Sequence, residues 1–369
     1  MPFEVAILGG GPAGCAAAIS LQRLCPSLRV VLIEATNYEQ WRVGETLSPA
    51  GQELLRGLGC WERFRDEQFV ESFGTSAAWG NQRPHENEFL FSVRGNGWHL
   101  DRKRFDAMLC REAQLAGTQV LQEARFLHCE RLAGADGWKL TVKRNGQNEH
   151  LRARFVIDAT GRSAVFAVRH GAKRDVEDRL IGVFMLFQFQ KDEFSDTRTL
   201  VEAQQDGWWY SSLLPGGQAV VAWMSDADLI RSRGLHRTDS WLQHLSRSQL
   251  TFDRIHKATP RAPIRLWSAQ SQRLDRFCGE DWLATGDAAG TFDPLSSAGI
   301  LKALRWGKIA SFAAADHFFG RAFSQRYDAL LNAEYKSYLA TRQRFYQMEQ
   351  RWPESSFWSR RIATPVNVS

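Results

Sequence analysis

The spacing of apolar residues changes character twice along the chain. Near the start, the unbroken apolar run Val5–Leu8 reads as a strand buried on both faces. Ala13, Ala16, Ala17, Leu21 and Leu24 then recur on one face of a helix expected over 12–24, and Val30–Ile33 reads as a second buried strand. Helical spacing returns at 102–116, and Arg154–Asp158 reads as a further buried strand. Strands alternating with helices predict an α/β unit built on a parallel sheet. Between about 176 and 270 the period falls to two. Ile181, Val183, Met185, Phe187 and Phe189 alternate with Gly182, Phe184, Leu186, Gln188 and Gln190, and Trp208–Leu214, Pro215-Gly216-Gly217 and Ala219–Met224 read as a hairpin. From about 299 the spacing is helical to near the C-terminus, and no internal repeat or low-complexity linker interrupts it.

The junction of the first strand and helix carries chemistry. Gly9, Gly11 and Gly14 form a G-x-G-x-x-G turn there, and Glu34 follows the second strand. In such a unit the first glycine permits the tight turn, the second lets backbone approach a pyrophosphate, and the third allows close helix–sheet packing. The helix N-terminus offers N–H groups and positive dipole to the phosphates, and Glu34 stands where a ribose hydroxyl needs an acceptor. The arrangement predicts a dinucleotide site.

A second segment, Trp282–Pro294, contains a strand ending at Thr285, then Gly286-Asp287 and small residues that permit close backbone approach. Asp287 is placed to accept from a sugar-alcohol hydroxyl beside the pyrophosphate. The segment Pro294–Ile300, with Ser296, leads into another helix whose N–H groups are suited to polarise an electron-rich ring. A ribitol-binding aspartate so far from the glycine turn has no use in an NAD enzyme, so the expected cofactor is FAD. The expected architecture is α/β: a Rossmann-like FAD-binding domain (1–70, 95–175 and 272–320), an inserted, mainly antiparallel β-sheet substrate domain (71–94 and 176–271), and a helical C-terminal region (321–369).

Bulk composition narrows the class without choosing a reaction. With 369 residues there is length for about two domains. No apolar run approaches the roughly 18 residues of a membrane span, and the start resembles a strand instead of a signal peptide, so a cytoplasmic location is expected. The 6 cysteines lack C-x-x-C spacing and the 9 histidines lack ligand-like pairing, which argues against a disulfide frame or a metal site. A net charge of +6 suits an anionic cofactor or an acidic protein partner and is too diffuse for a nucleic-acid surface. The 14 tryptophans are the outlier.

Taken in order, Gly9–Gly14 with Glu34, Trp41–Leu47, His99–Arg102 with Phe105-Asp106, Asp158–Ser163 and Gly286-Asp287 resemble the FAD-dependent monooxygenase superfamily with the p-hydroxybenzoate-hydroxylase fold, on its tryptophan-halogenase-like branch. The resemblance covers nearly the whole chain. It implies that Arg42 and Arg102 contact the pyrophosphate or ribityl region of FAD and that Gly299 and Ile300 face the flavin ring.

Halogenation itself is not implied. The stretch Glu71–Trp79, which corresponds to the halogenases' catalytic-lysine segment, holds no lysine. Ser296 and Ala298 stand where the halogenase loop has a functional glutamate and a halide-contacting threonine, and Gly207–Pro215 replaces their Trp-x-Trp-x-Ile-Pro signature. That segment, together with Trp79-Gly80, Gly97–Arg102, Arg351-Trp352-Pro353 and Phe357-Trp358, resembles the flavoproteins that mature quinone-cofactor oxidases: the lysine-ε-oxidase and glycine-oxidase maturases, and a similar protein for quinohemoprotein amine dehydrogenase. The resemblance implies hydroxylation of a tryptophan in a partner precursor polypeptide, an amine or amino-acid oxidase, on the way to a tryptophylquinone. A flavin reductase is a second partner where NAD(P)H does not reduce the flavin directly. Trp208, Trp209, Tyr210 and Trp223 are candidates to stack on an incoming indole, and period-two spacing fits sheet packing equally well. A monooxygenase of a free aromatic metabolite and a non-catalytic FAD-bearing chaperone are the competing readings. No spacing singles out a general base.

Overall fold

The computed structural model describes residues 2–89, 93–132, 137–190 and 196–362. Its first sheet is organised around Phe3–Leu8, which pairs in parallel with Val30–Ile33 on one side and with the end of Gln147–Asp158 on the other. Gln119–Leu121 extends the parallel ladder beyond Val30–Ile33, and Trp282–Ala284 pairs in parallel beside Asp158. Every residue of Val30–Ile33 is buried, as expected for a strand covered on both faces. The run Arg154–Asp158 is the buried end of a longer strand. Its polar first half, with Ala124–Arg131 and Trp138–Arg144, adds an antiparallel meander to the parallel sheet. Half-exposed strands of this kind lack the continuous apolar run by which the others were recognised.

The helix Pro12–Leu24 is held between this sheet and the long helix Gly299–Phe318. Contact between the helices is backbone to backbone: a Cβ on Gly307 would lie 2.2 Å from the carbonyl oxygen of Ala13. Small residues therefore fix where the N-terminus of Gly299–Phe318 comes to rest. The six cysteines stand as separate thiols in this framework.

The second sheet has eight strands in the order Thr259–Pro260, Leu180–Gln188, Gln218–Asp226, Gly207–Leu214, Thr199–Gln204, Gly74–Ala78, His85–Glu88, with Arg265–Ser268 also pairing Leu180–Gln188. It is antiparallel except where Thr199–Gln204 meets Gly74–Ala78. Its middle block also contains three short helices, Ala227–Ser232, Thr238–Leu245 and Leu250–Ile255, which the period-two reading passed over. They cover one face, where Ile230, Trp241, Leu245 and Ile255 pack on Val183, Trp209 and Trp223. On the other face Phe184, Trp208, Tyr210 and Met224 pack with Tyr346, Phe357 and Trp358 from the C-terminal helices. Both parities of these strands are buried, so both are apolar. Helix Ser324–Met348 bridges the molecule, with Tyr327, Leu331, Tyr335 and Tyr338 in the core of the first sheet and Tyr346 in that of the second. Arg361, 5% exposed, anchors the last described turn through a 2.6 Å ion pair to buried Asp226. Among the described residues no helix is long and apolar enough to cross a membrane.

Candidate functional site

A cleft of about 1050 Å³ opens at the carboxyl ends of Phe3–Leu8, Val30–Ile33 and Gln147–Asp158, and the second sheet closes its far side. Ligands of open α/β sheets bind at this edge, where loops diverge from strand ends. The three glycines of the first turn have different tasks there. Gly9 has φ +104°, and a Cβ on it would meet the Ala159 carbonyl at 2.2 Å; a Cβ on Gly14 would lie 1.9 Å from the Gly9 carbonyl oxygen. Both are required by the fold. Gly11 differs: its φ is −74°, which any residue adopts, and an added Cβ would meet nothing within 4 Å. Gly299, at the start of the second helix, is equally open. Both line the cleft, so the space before them is kept for something other than protein. Backbone N–H groups at the N-termini of two long helices, one on each side, suit a pyrophosphate and an electron-rich ring. The residues fit FAD.

Charge around this cradle is tightly organised. Glu34 accepts from the Gly10 N–H at 2.7 Å, from the Thr36 N–H at 3.0 Å and from Arg42 at 3.1 Å. Arg42 and Arg102 share buried Asp106, at 3.2 Å and 2.9 Å, and Arg102 also donates to the Val43 carbonyl at 2.8 Å. Asp106 thereby aims both guanidinium groups at the cleft. Asp158 ends its strand as a loop brace: it accepts from the backbone N–H groups of Thr160, Phe166 and Ala167 and lies outside the cleft. Gly286 and Asp287 lie beside the start of the helix Pro12–Leu24, and Asp287 makes a 2.6 Å ion pair with Lys302, whose side chain is 0% exposed. Burial pushes the Asp287 carboxyl up, yet Lys302, Arg162 and Arg102 outweigh it and hold the group below the usual carboxylate range. Lys302 also donates to the Gly290 carbonyl. No sequence signal pointed to this buried cation, because a lysine in a helix reads as exposed.

The structure sorts the expected site residues by whether they line the cleft. Gly9, Gly11, Glu34, Arg42, Arg102, Asp287, Gly299, Ile300 and Tyr210 all line the cleft; Gly14, Gly286, Trp208, Trp209 and Ser296 do not. Gly14 and Gly286 instead permit close packing behind it, where a Cβ on Gly286 would lie 2.5 Å from that of Ala13. Strand alternation turns Trp209 to the opposite face, where it meets Trp223 at 5.0 Å and Trp241 at 5.2 Å. Trp208 points to the cleft side of the sheet, but the C-terminal helices cover it and its indole donates to Tyr346 Oη at 3.2 Å. Ser296 spends its hydroxyl within its own loop, donating to the Asp293 carbonyl at 2.9 Å. Asp293 braces the same loop, accepting from the Leu295 N–H and from Tyr346 Oη at 2.8 Å.

The cleft's aromatic wall is instead Trp41, Phe184 and Trp267, edge to face, with Trp41 and Trp267 centroids 5.0 Å apart. Trp267 lies on the short strand Arg265–Ser268, which offers no period long enough to read. Beside the wall, Tyr210 Oη and Thr46 Oγ1 are 2.9 Å apart. Two residues along the strand, Ser212 donates to His99 Nδ1 at 2.7 Å, and His99 Nε2–H donates to the Thr197 carbonyl at 2.6 Å. Burial pulls His99 down to about 4, so the ring is neutral. Glu45, 2% exposed, also lines the cleft; its Oε1 has no hydrogen-bond partner, and burial pushes its carboxyl up to about 7.

Comparison with known proteins agrees with this geometry. LodB of Marinomonas mediterranea, which carries the name of an FAD-dependent oxidoreductase, is 29% identical over 98% of this chain and 97% of its own length. A 1H-pyrrole-2-carbonyl-[peptidyl-carrier protein] chlorinase of Pseudomonas fluorescens is 24% identical over 84% of this chain and 75% of its own. Among solved structures, the flavin-dependent halogenase CmlS superposes with a TM-score of 0.86 at 26% identity, covering 100% of this chain and 68% of that one. QhpG, a peptidyl tryptophan dihydroxylase essential for tryptophylquinone cofactor biogenesis, superposes with a TM-score of 0.80 at 23% identity, covering 98% of this chain and 79% of that one, a likeness of fold. The family model described as FAD binding domain matches residues 2–305, and with the cradle built around Gly11 and Gly299 it establishes that the chain belongs to this family of FAD-dependent oxidoreductases.

Proposed function

We propose that this protein is an FAD-dependent monooxygenase that hydroxylates a tryptophan side chain of a partner polypeptide, the precursor of a quinone-cofactor amine or amino-acid oxidase. The observation that carries the reading is the aromatic wall of Trp41, Phe184 and Trp267, set beside the cofactor cradle and flanked by exposed Arg265 and Ser268. Such a wall suits a flat, electron-rich ring entering from the surface, and edge-to-face contacts add about 0.5–1.5 kcal/mol beyond area burial. Bound and reduced, FAD supplies with O₂ an electrophilic oxygen atom. The chain's own work is then to orient the ring, exclude water and move protons. The relationship to LodB over nearly both full lengths supports an FAD-dependent oxidoreductase, and the fold shared with a peptidyl tryptophan dihydroxylase supports a protein substrate.

A halogenase fits less well. None of the described residues lining the cleft is a lysine; Lys302 is turned beneath Asp287, and the loop ahead of Gly299 carries Ser296 and Ala298. The test is co-expression with an oxidase precursor followed by intact-mass and peptide mass spectrometry. A gain of one or two oxygens on a precursor tryptophan, lost when this chain is omitted, is the expected result. A brominated tryptophan formed from the free amino acid with bromide, O₂ and a flavin reductase overturns the reading in favour of halogenation, and oxygenation of a free aromatic alone moves the substrate to a small molecule.

A further inference from the structure

Beside the cleft, the second sheet ends on the short strand Arg265–Ser268, whose one strand neighbour among the described residues is Leu180–Gln188. The Ala269 N–H donates to the Leu180 carbonyl at 2.9 Å, so the backbone groups of Trp267 and Arg265 also turn inward, toward that neighbour. By the same alternation the N–H and C=O groups of Leu266 and Ser268 turn outward, and among the described residues they meet no partner. Leu266 is 46% exposed, and Arg265 and Ser268 are exposed too, so solvent reaches this edge. Pro260 and Pro263 remove two donors from the chain just before it, which leaves Arg265–Ser268 as the stretch able to pair. Charge here is one-sided. The run from Arg254 to Leu274 holds no Asp or Glu, and exposed Lys257, Arg261 and Arg265 have no carboxylate partner among the described residues. Arg261 donates to Gln188 Oε1 at 3.1 Å, and the Arg265 guanidinium lies 5.9 Å from the centre of the Trp41 ring. A second copy of this chain would bring the same cations to the edge and be repelled, whereas an acidic segment is drawn to it.

Resting on the hydroxylation reading above, we propose that Arg265–Ser268 is the docking edge for the partner polypeptide. An extended, acidic segment of the precursor adds there as a further strand and carries its target tryptophan into the cleft. Side chains on a strand alternate between faces, and Arg265 and Trp267 line the cleft while Leu266 between them does not. A residue of the added strand opposite Trp267 therefore points the same way, onto the wall of Trp41, Phe184 and Trp267. That residue is the tryptophan. Its immediate neighbours turn to the other face, and their backbone groups answer the outward N–H and C=O groups of Leu266 and Ser268. Residues two positions from the tryptophan return to the cleft face, where one of them comes opposite Arg265. The recognised pattern is thus an Asp or Glu two residues from the target tryptophan, on extended chain. Main-chain pairing supplies affinity whatever the sequence, and the cleft and Arg265 choose the side chains. A free amino acid offers no flanking strand to pair.

The test uses the FAD-loaded protein and a labelled peptide, Ser-Glu-Val-Trp-Val-Glu-Ser, with a glutamate on each side so that either strand direction is served. Two relatives of this probe separate the contacts: one is N-methylated at both valines, which blocks main-chain pairing, and one has lysine for both glutamates. Fluorescence anisotropy reads affinity, and amide hydrogen exchange reads Leu266 and Ser268 directly. Expected results are binding of the parent peptide with slowed exchange at those amides, and affinities about 10-fold or more lower for both relatives. Arg265→Glu should reverse the charge preference, weakening the glutamate peptide and tightening the lysine peptide, while Arg265→Lys keeps the wild-type order. Equal binding of the N-methylated and parent peptides overturns the docking edge. So does a charge preference that Arg265→Glu leaves unchanged, or a parent peptide that fails to bind. Reduction of the flavin, exposure to O₂ and peptide mass spectrometry then test the chemistry separately. Edge binding as expected with no oxygen gained on the tryptophan defeats the hydroxylation reading and leaves the edge as a peptide site. Oxygen gained equally by the parent and N-methylated peptides upholds that reading and overturns the edge.

Discussion

Replacing Gly11 with alanine separates the cofactor's demands from those of the fold. With φ at −74° and nothing within 4 Å of the added Cβ, the substitution introduces neither backbone strain nor a clash. Gly11 caps the helix Pro12–Leu24 with no side-chain hydrogen bond, so alanine loses no capping bond; its lower cap preference and the reduced entropy of the unfolded chain nearly cancel. The melting temperature of the FAD-free protein should therefore move by no more than about 1–2 °C, the shift expected for roughly 1 kcal/mol or less in a chain of this size. Cofactor binding is another matter. The methyl occupies space proposed for the pyrophosphate and pushes it off the helix N-terminus, where each charge-assisted hydrogen bond is worth about 1.5–3 kcal/mol. Loss of two such bonds is about 3–6 kcal/mol, a rise of roughly 10²–10⁴-fold in the FAD dissociation constant. Thermal unfolding of the apoprotein and isothermal titration with FAD measure the two quantities on one preparation. Gly14→Ala is the control that must fail to fold, since its Cβ lands 1.9 Å from the Gly9 carbonyl oxygen. A Gly11→Ala protein that binds FAD like wild type would refute the placement of the phosphates, and one that unfolds early would refute the claim that the fold has no need of this glycine.

Three further outcomes follow from the site. Asp287→Ala should lower both FAD affinity and thermal stability, because it strands the buried Lys302 ammonium; adding Lys302→Met should restore the melting temperature without restoring FAD binding, and a stable Asp287→Ala single variant would contradict the buried ion pair. Glu45→Gln should stabilise the apoprotein in a pH-dependent way. A carboxyl raised from 4.5 to about 7 favours the fold fully below pH 4.5 and loses that contribution as pH rises through about 7, which at 1.36 kcal/mol per pH unit is about 3 kcal/mol. The variant's advantage in chemical denaturation should thus be absent near pH 4.5 and complete by pH 8; an advantage independent of pH would mean that Glu45 is not held protonated. Trp209→Phe should cost about 1–3 kcal/mol of stability, because the ring is buried among Trp223 and Trp241 behind the sheet, and should leave FAD binding and turnover unchanged in steady-state assays.

The parts of this protein legible in its sequence are those whose physics is local. The apolar runs Val5–Leu8 and Val30–Ile33 become strands because they are buried on both faces, and the glycines between them lie close together in the chain. The Gly286-Asp287 turn announced itself in the same way. The half-exposed strands Ala124–Arg131 and Trp138–Arg144 and the short helices between 227 and 255 were invisible, because their apolar residues complete a core supplied from elsewhere. Tertiary structure alone decided the direction of each ring and charge. Successive residues on Gly207–Leu214 point to opposite faces, so Tyr210 reaches the cleft while Trp209 enters a core with helices far along the chain. Trp208 shares Tyr210's face yet is sealed off by Tyr346, a residue 138 positions away. Lys302 looks like an ordinary surface charge in one dimension, and Glu45 is legible only as part of the Trp41–Leu47 motif, with no spacing that gives it a role. Folding buries both, pairs one with Asp287 and leaves one oxygen of the other without a hydrogen-bond partner, and that difference depends on which distant side chains arrive beside them.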